Sequence, residues 1–80
     1  MDRILVVEDD KAILMGLKDD LEFEGYEVAT ASEGKDGLKQ ALGGGFALIV
    51  LDILLPGLNG FEVCKKLREA GVKTPRKNGV

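Results

Sequence analysis

Carboxylates stand directly after the two most apolar stretches of this chain. Glu8, Asp9 and Asp10 follow Ile4-Leu5-Val6-Val7, and Asp52 follows Phe46-Ala47-Leu48-Ile49-Val50-Leu51. If both stretches are central strands of one parallel sheet, their carboxyl ends bring Glu8, Asp9 and Asp52 together from distant parts of the sequence. Like charges at that range raise one another's pKa and repel, so they persist as anions only with a cation among them. Oxygen-only ligation by carboxylates, a carbonyl and water suits Mg2+, which takes few protein ligands and is often completed by a phosphate. A carboxylate beside bound Mg2+ can attack a phosphoryl group while the metal neutralises the developing charge. Asp52, alone at its strand end, is the better nucleophile; Glu8 and Asp9 form the metal cradle. Asp10 reads instead as a helix cap.

The elements that must hold these residues follow from periodicity. Ile4 to Val7 is a continuous β-branched-rich run ended by polar residues, the pattern of a buried parallel strand. From Lys11 the apolar spacing becomes helical, with Leu14, Leu17 and Leu21 widened by Ile13. Lys18, Asp19, Glu22 and Glu24 lie on the other face. Asp9 or Asp10 caps this helix and Gly25 stops it. Tyr26 to Thr30 reads as a second strand, and Ser32 to Leu42 as a helix weakened by Gly34 and Gly37. Phe46 to Leu51 is the third strand. Ile53 to Leu58 is a loop with Pro56-Gly57 suited to a type II turn. Asn59 then caps a third helix whose buried face is Phe61, Val63, Cys64 and Leu67, with Glu62 placed for a capping box and Gly71 at the end. The order β-α-β-α-β-α predicts an α/β fold with parallel strand order 2-1-3 and helices on both faces.

Composition narrows the chemistry. Eighty residues with 11 Lys+Arg, 14 Asp+Glu, no His and one Cys allow one small domain at most. A net charge of −3 argues against nucleic acid as the main partner. One Cys makes no internal disulfide and, without His, no zinc site. Ser32 is the single serine and has no histidine to activate it. No apolar run is long enough to cross a membrane, and the N-terminus does not read as a signal peptide. The expected setting is cytoplasmic.

The segments Ile4-Leu-Val-Val-Glu-Asp-Asp10 and Leu48-Ile-Val-Leu-Asp-Ile-Leu-Leu-Pro-Gly-Leu-Asn-Gly60 resemble the receiver domain of two-component response regulators. Gly25-Tyr-Glu-Val28 and Phe61-Glu-Val-Cys-Lys-Lys-Leu-Arg68 are similar to the same family. The resemblance covers residues 1–75 and leaves 76–80 as a tail outside the family pattern. It implies a flavodoxin-like fold that accepts a phosphoryl group from a sensor histidine kinase onto Asp52. By the same resemblance Asp9 ligates Mg2+ directly, Glu8 assists through water, and the backbone carbonyl of Leu54 is a further ligand. Such a chain is not an enzyme; at most it catalyses its own Mg2+-dependent phosphorylation from a phosphodonor.

The resemblance also implies what is missing. The family continues past Pro75 with further βα units, a strand-end Ser or Thr and a later strand-end Lys, where this sequence has Arg76-Lys77-Asn78-Gly79-Val80. The expectation is therefore a truncated receiver with impaired phosphoryl transfer. The third strand would then be an apolar edge, and two copies would associate as a homodimer through it. The alternative is a self-associating, half-flavodoxin-like structural fragment without phosphoryl chemistry. A Mg2+-dependent phosphohydrolase is disfavoured, because Asp52-Ile53-Leu54 lacks the second carboxylate such enzymes use as acid and base.

Overall fold

Ile4, Leu5, Val6 and Val7 are each no more than 3% exposed, as a strand covered on both faces must be. They form β1 (Arg3–Val7), which pairs in parallel with β2 (Glu27–Ala31) on one side and β3 (Leu48–Leu51) on the other. The connections are helices α1 (Lys11–Phe23) and α2 (Gly34–Gly43), and α3 (Gly60–Glu69) follows β3. The computed structural model describes residues 2–51, 60–72, 74 and 76–78. The expected order of the first three strands, 2-1-3, is the observed one.

A further strand alters the edge. Residues 76–78, expected to be a tail, form β4 (Arg76–Asn78) parallel to β3, so the sheet runs β2-β1-β3-β4. Ile49 pairs with Arg76, Val50 with Lys77 and Leu51 with Asn78. The expectation that β3 is an open edge is thereby corrected. Ladder pairing is made by the backbone, and the sequence Arg-Lys-Asn carries none of the β-branched or aromatic signal that marks a strand. Polar, basic sequence is in fact common on edge strands, which it protects against further pairing.

Alternate side chains of β1 feed two cores. Leu5 and Val7 join Ala31, Ala41, Phe46, Ile49, Leu51, Val63 and Leu67 under α2 and α3. Ile4 and Val6 join Leu14 under α1, with Leu17, Leu21, Val28, Leu48 and Val50 packed around them. Helices thus cover both faces, as expected. Cys64 is partly buried against the first cluster, consistent with a packing role.

Local chemistry sets the element ends. Asp10 is the N-cap of α1: its Oδ1 accepts hydrogen bonds from the amides of Ala12 at 2.9 Å and Ile13 at 3.2 Å. The helix closes in a Schellman turn. Gly25, at φ 96°, donates to the Glu22 carbonyl and Tyr26 donates to that of Leu21. Helix α3 ends the same way at Gly71, with Val72 donating to Leu67. Strand β3 starts later than its apolar run suggests. Phe46 is buried with the Arg3 guanidinium 4.7 Å from its ring centre, and the Ala47 amide donates to the Arg3 carbonyl at 2.7 Å. The phenylalanine therefore serves the core from outside the ladder. The expected cap Asn59, the turn at Pro56-Gly57 and the side chain of Phe61 lie outside the described residues.

Candidate functional site

The candidate site is the one expected at the carboxyl ends of β1 and β3. Val7 and Leu51 are register partners, each the last residue of its strand. The next residue in the chain is Glu8 in one case and Asp52 in the other. In an open parallel sheet, a ligand crevice lies where the winding reverses, outside strand carboxyl ends. With β2 and β3 on opposite sides of β1, that reversal is at β1 and β3.

Glu8 is fixed from both its backbone and its side chain. Its amide donates to the Ala31 carbonyl at 3.0 Å, prolonging contact with β2 beyond the ladder. Its Oε1 accepts from the Asp10 amide at 3.0 Å. At 6% exposure it is the one buried charged side chain among the described residues. A carboxylate so withdrawn from water is costly unless polar or cationic groups meet it. Asp9 lies in the bend between β1 and α1 and is exposed. Asp10 is held by its capping bonds, as its sequence position suggested. Glu8 and Asp9 offer hard oxygen donors, the type that suits Mg2+ rather than a soft metal. Among the described residues, no group of three acidic or other ligating side chains is close enough to hold a metal ion. Asp52 and the Leu54 carbonyl, the other expected ligands, lie outside the described residues.

Two supports were not legible as such. Gly37, counted in the sequence as a weakness of α2, is buried against β1. A Cβ built there would lie 2.7 Å from Cγ2 of Val7, so the helix approaches the strand end that carries Glu8. Gln40 Nε2 donates to the Thr30 carbonyl at 2.9 Å and to Asp36 Oδ2 at 3.2 Å, tying α2 to β2. The available signal was the inward spacing of the small residues Gly34, Gly37 and Ala41. An open cleft of about 290 Å3 lies between the start of α1 and the β2–α2 turn, lined by Lys11, Leu14, Met15, Thr30, Ala31, Ser32 and Asp36. Among the described residues, no helix is long and apolar enough to cross a membrane.

Comparison with known proteins gives consistent results. Residues 4–76 match the family model of the response regulator receiver domain. The chain is 48% identical over 73 residues to the alkaline phosphatase synthesis transcriptional regulatory protein PhoP of Bacillus subtilis, covering 91% of this chain and 30% of PhoP. It is 46% identical over 72 residues to the uncharacterized transcriptional regulatory protein YkoG of the same organism, covering 90% of this chain and 32% of YkoG. It therefore spans about a third of the length of these curated relatives. Among solved structures, the receiver domain of Francisella response regulator 1452 superposes with a TM-score of 0.93 at 31% identity, covering 98% of this chain and 64% of that one. The response regulator TrrA of Thermotoga maritima, solved in complex with Mg2+-BeF, gives a TM-score of 0.85 at 42% identity over 98% of this chain and 66% of that one. A second match is the crystal structure of the histidine kinase ThkA in complex with TrrA, with a TM-score of 0.88, 40% identity, and coverage of 98% and 67%.

Proposed function

The chain belongs to the response regulator receiver domain family, and on that premise we propose that it is a phosphoacceptor, taking a phosphoryl group onto Asp52 from a histidine kinase of the cytoplasm. The observation that carries this reading is the Val7–Leu51 register, which sets the acidic pair Glu8-Asp9 and Asp52 in sequence directly after adjacent central strands. A Mg2+ ion would be held by Asp9, Asp52 and the Leu54 carbonyl, with Glu8 acting through water. When bound, it would offset the negative charge gathered around the transferring phosphoryl group. The carboxylate oxygen of Asp52 attacks phosphorus, a P–O bond forms and the P–N bond of the kinase phosphohistidine breaks. The imidazole nitrogen leaves with the electron pair and takes a proton from solvent. Glu8, held by the Ala31 carbonyl and the Asp10 amide, would keep the acidic end of β1 fixed for that reaction. The Mg2+-BeF complex of TrrA and its complex with ThkA support both the metal and the kinase partner.

The test is transfer from an autophosphorylated histidine kinase in the presence of Mg2+. Label should appear on this chain and be absent from the Asp52→Asn variant; equal labelling of both would overturn the assignment. A second reading, a self-associating fragment, draws on one observation: Leu48 and Val50 are only partly buried. Association through the edge of β3, the route the sequence suggested, is closed by β4.

A further inference from the structure

Strand β2 lies at the outer edge of the sheet. Its residues Glu27 and Ala31 turn their backbone toward β1: the Glu27 amide donates to the Asp2 carbonyl and the Ala31 carbonyl accepts from Glu8, both at 3.0 Å. Successive carbonyls of a strand point to opposite sides, so that of Thr30 faces outward, where an edge strand has no ladder neighbour. Gln40 of α2 supplies a partner, donating from Nε2 at 2.9 Å. The same nitrogen donates to Asp36 Oδ2 at 3.2 Å, one turn earlier in the helix. A carbonyl and a carboxylate both accept, so together they fix which end of the side-chain amide faces them.

This brace stands at the end of β2 that holds Glu8. The ladder with β1 finishes at the Val7–Ala31 pair, and the Glu8 amide bonds to Ala31 one step further on. From there the chain turns through Ser32 to Glu33, the N-cap of α2, whose side chain makes no capping bond. The helix itself is seated closely on β1, because Gly37 lies against the γ-methyls of Val7. Gln40 therefore reaches β2 from a fixed platform, and the Thr30 carbonyl it holds belongs to the residue before Ala31. Resting on the phosphoacceptor reading above, we infer that Gln40 is a positioning residue for Mg2+ binding. By bracing the Thr30 carbonyl it keeps the Ala31 carbonyl, and with it the backbone of Glu8, in one place at the end of β1. Gln40 touches neither the metal nor the phosphoryl group; it acts through two backbone groups, as the outer partners of a metal site act on its ligands.

The test compares the full 80-residue chain with Gln40→Met, which keeps the length of the side chain and removes the donor. Two readouts need no phosphodonor: hydrogen exchange of the Glu8 amide, and a Mg2+ titration followed by the amide shifts of Glu8 to Asp10. In Gln40→Met the Glu8 amide should exchange roughly threefold faster or more, relative to that of Leu5. The Mg2+ midpoint should rise about threefold or more, while the rate of mass gain from acetyl phosphate at saturating Mg2+ stays within about twofold. A merely structural role would lower the urea midpoint and leave the Mg2+ midpoint in place. Asp36→Ala, at an exposed residue, frees the amide to turn and should shift both readouts less, in the same direction; it keeps the test valid if Gln40→Met fails to fold. Lys39→Ala, exposed on the same helix, should shift neither. An unchanged Glu8 exchange rate, an unmoved Mg2+ midpoint, or equal shifts in Lys39→Ala would each overturn the inference. Failure of the phosphoacceptor reading shows instead as a parent chain that titrates with Mg2+ and gains no phosphoryl group, so the two failures are distinguishable.

Discussion

Val7 of β1 and Leu51 of β3 are partners in a parallel ladder, and a carboxylate follows each of them directly in the chain. Both partners are essentially sealed from water, at 1% and 0% exposure. The acidic residues thus follow, in sequence, where two buried strands stop, and at β1 this couples the position of Glu8 to the packing beneath it. Core substitutions under Val7 should consequently register in metal binding as well as in stability.

Removing donors from the cradle should weaken Mg2+ binding. Asp9→Asn retains shape and loses the charge, and its Mg2+ titration, followed by amide shifts of Glu8 to Asp10, should move to roughly tenfold or higher concentration. An unchanged titration would remove Asp9 from the ligand set. Stability without Mg2+ should alter little, because Asp9 is exposed.

Two glycine-to-alanine substitutions in helices should have opposite signs. Gly16 of α1 has nothing within 4 Å of an added Cβ, so Gly16→Ala should stabilise by about 0.5–1 kcal/mol. At Gly37 the added methyl meets both γ-methyls of Val7, at 2.7 and 2.8 Å. Val7 is fully packed, so Gly37→Ala should destabilise by about 1–3 kcal/mol despite the gain in helix propensity. Urea midpoints of the two variants, compared with the parent, decide this.

Asp10 should behave as a cap. Asp10→Ala leaves the Ala12 and Ile13 amides without their acceptor and should cost about 1 kcal/mol, while Asp10→Asn should restore most of it. The urea midpoint should fall with the m-value unchanged. Equal losses in both variants would point to charge rather than capping.

A surface pair supplies a pH signature. Lys18 donates to Glu22 at 2.9 Å one helical turn on, and that hydrogen bond, with the attraction of the carboxylate, raises the lysine pKa above its ordinary 10.5. A group raised on folding stabilises fully below its unfolded pKa, and that contribution is lost as pH rises through the folded value. The melting temperatures of the parent and Lys18→Met should differ slightly at neutral pH and converge above pH 10.5. Added salt should narrow the difference as well, because the pair is solvent-exposed.

The central strand was legible because Ile4 to Val7 is apolar without alternation, which only burial on both faces explains. Helix α1 was legible for the opposite reason: its apolar stripe and its stop at Gly25 agree. Strand β4 was not, since Arg-Lys-Asn pairs through its backbone and carries no side-chain signal for a strand. The run from Phe46 overstated β3, because burial of Phe46 comes from core packing and the Arg3 guanidinium above its ring, not from ladder pairing. Periodicity could show Gly37 as a cost to the helix but not the close approach that requires it; that depends on which strand lies beneath. Of the site, the Glu8-Asp9 end of β1 and its register with β3 were open to sequence reasoning. The burial of Glu8 and its bond from the Asp10 amide were not, as they depend on how the β1–α1 bend turns.

The most direct measurement is the intact mass of the protein after incubation with Mg2+ and a small phosphodonor such as acetyl phosphate, alongside Asp52→Asn. The expected result is a gain of one phosphoryl group that requires Mg2+, disappears on treatment with hydroxylamine as an acyl phosphate should, and never forms on Asp52→Asn. A folded protein that gains no mass, or a variant that gains the same mass, would contradict phosphoryl acceptance at Asp52.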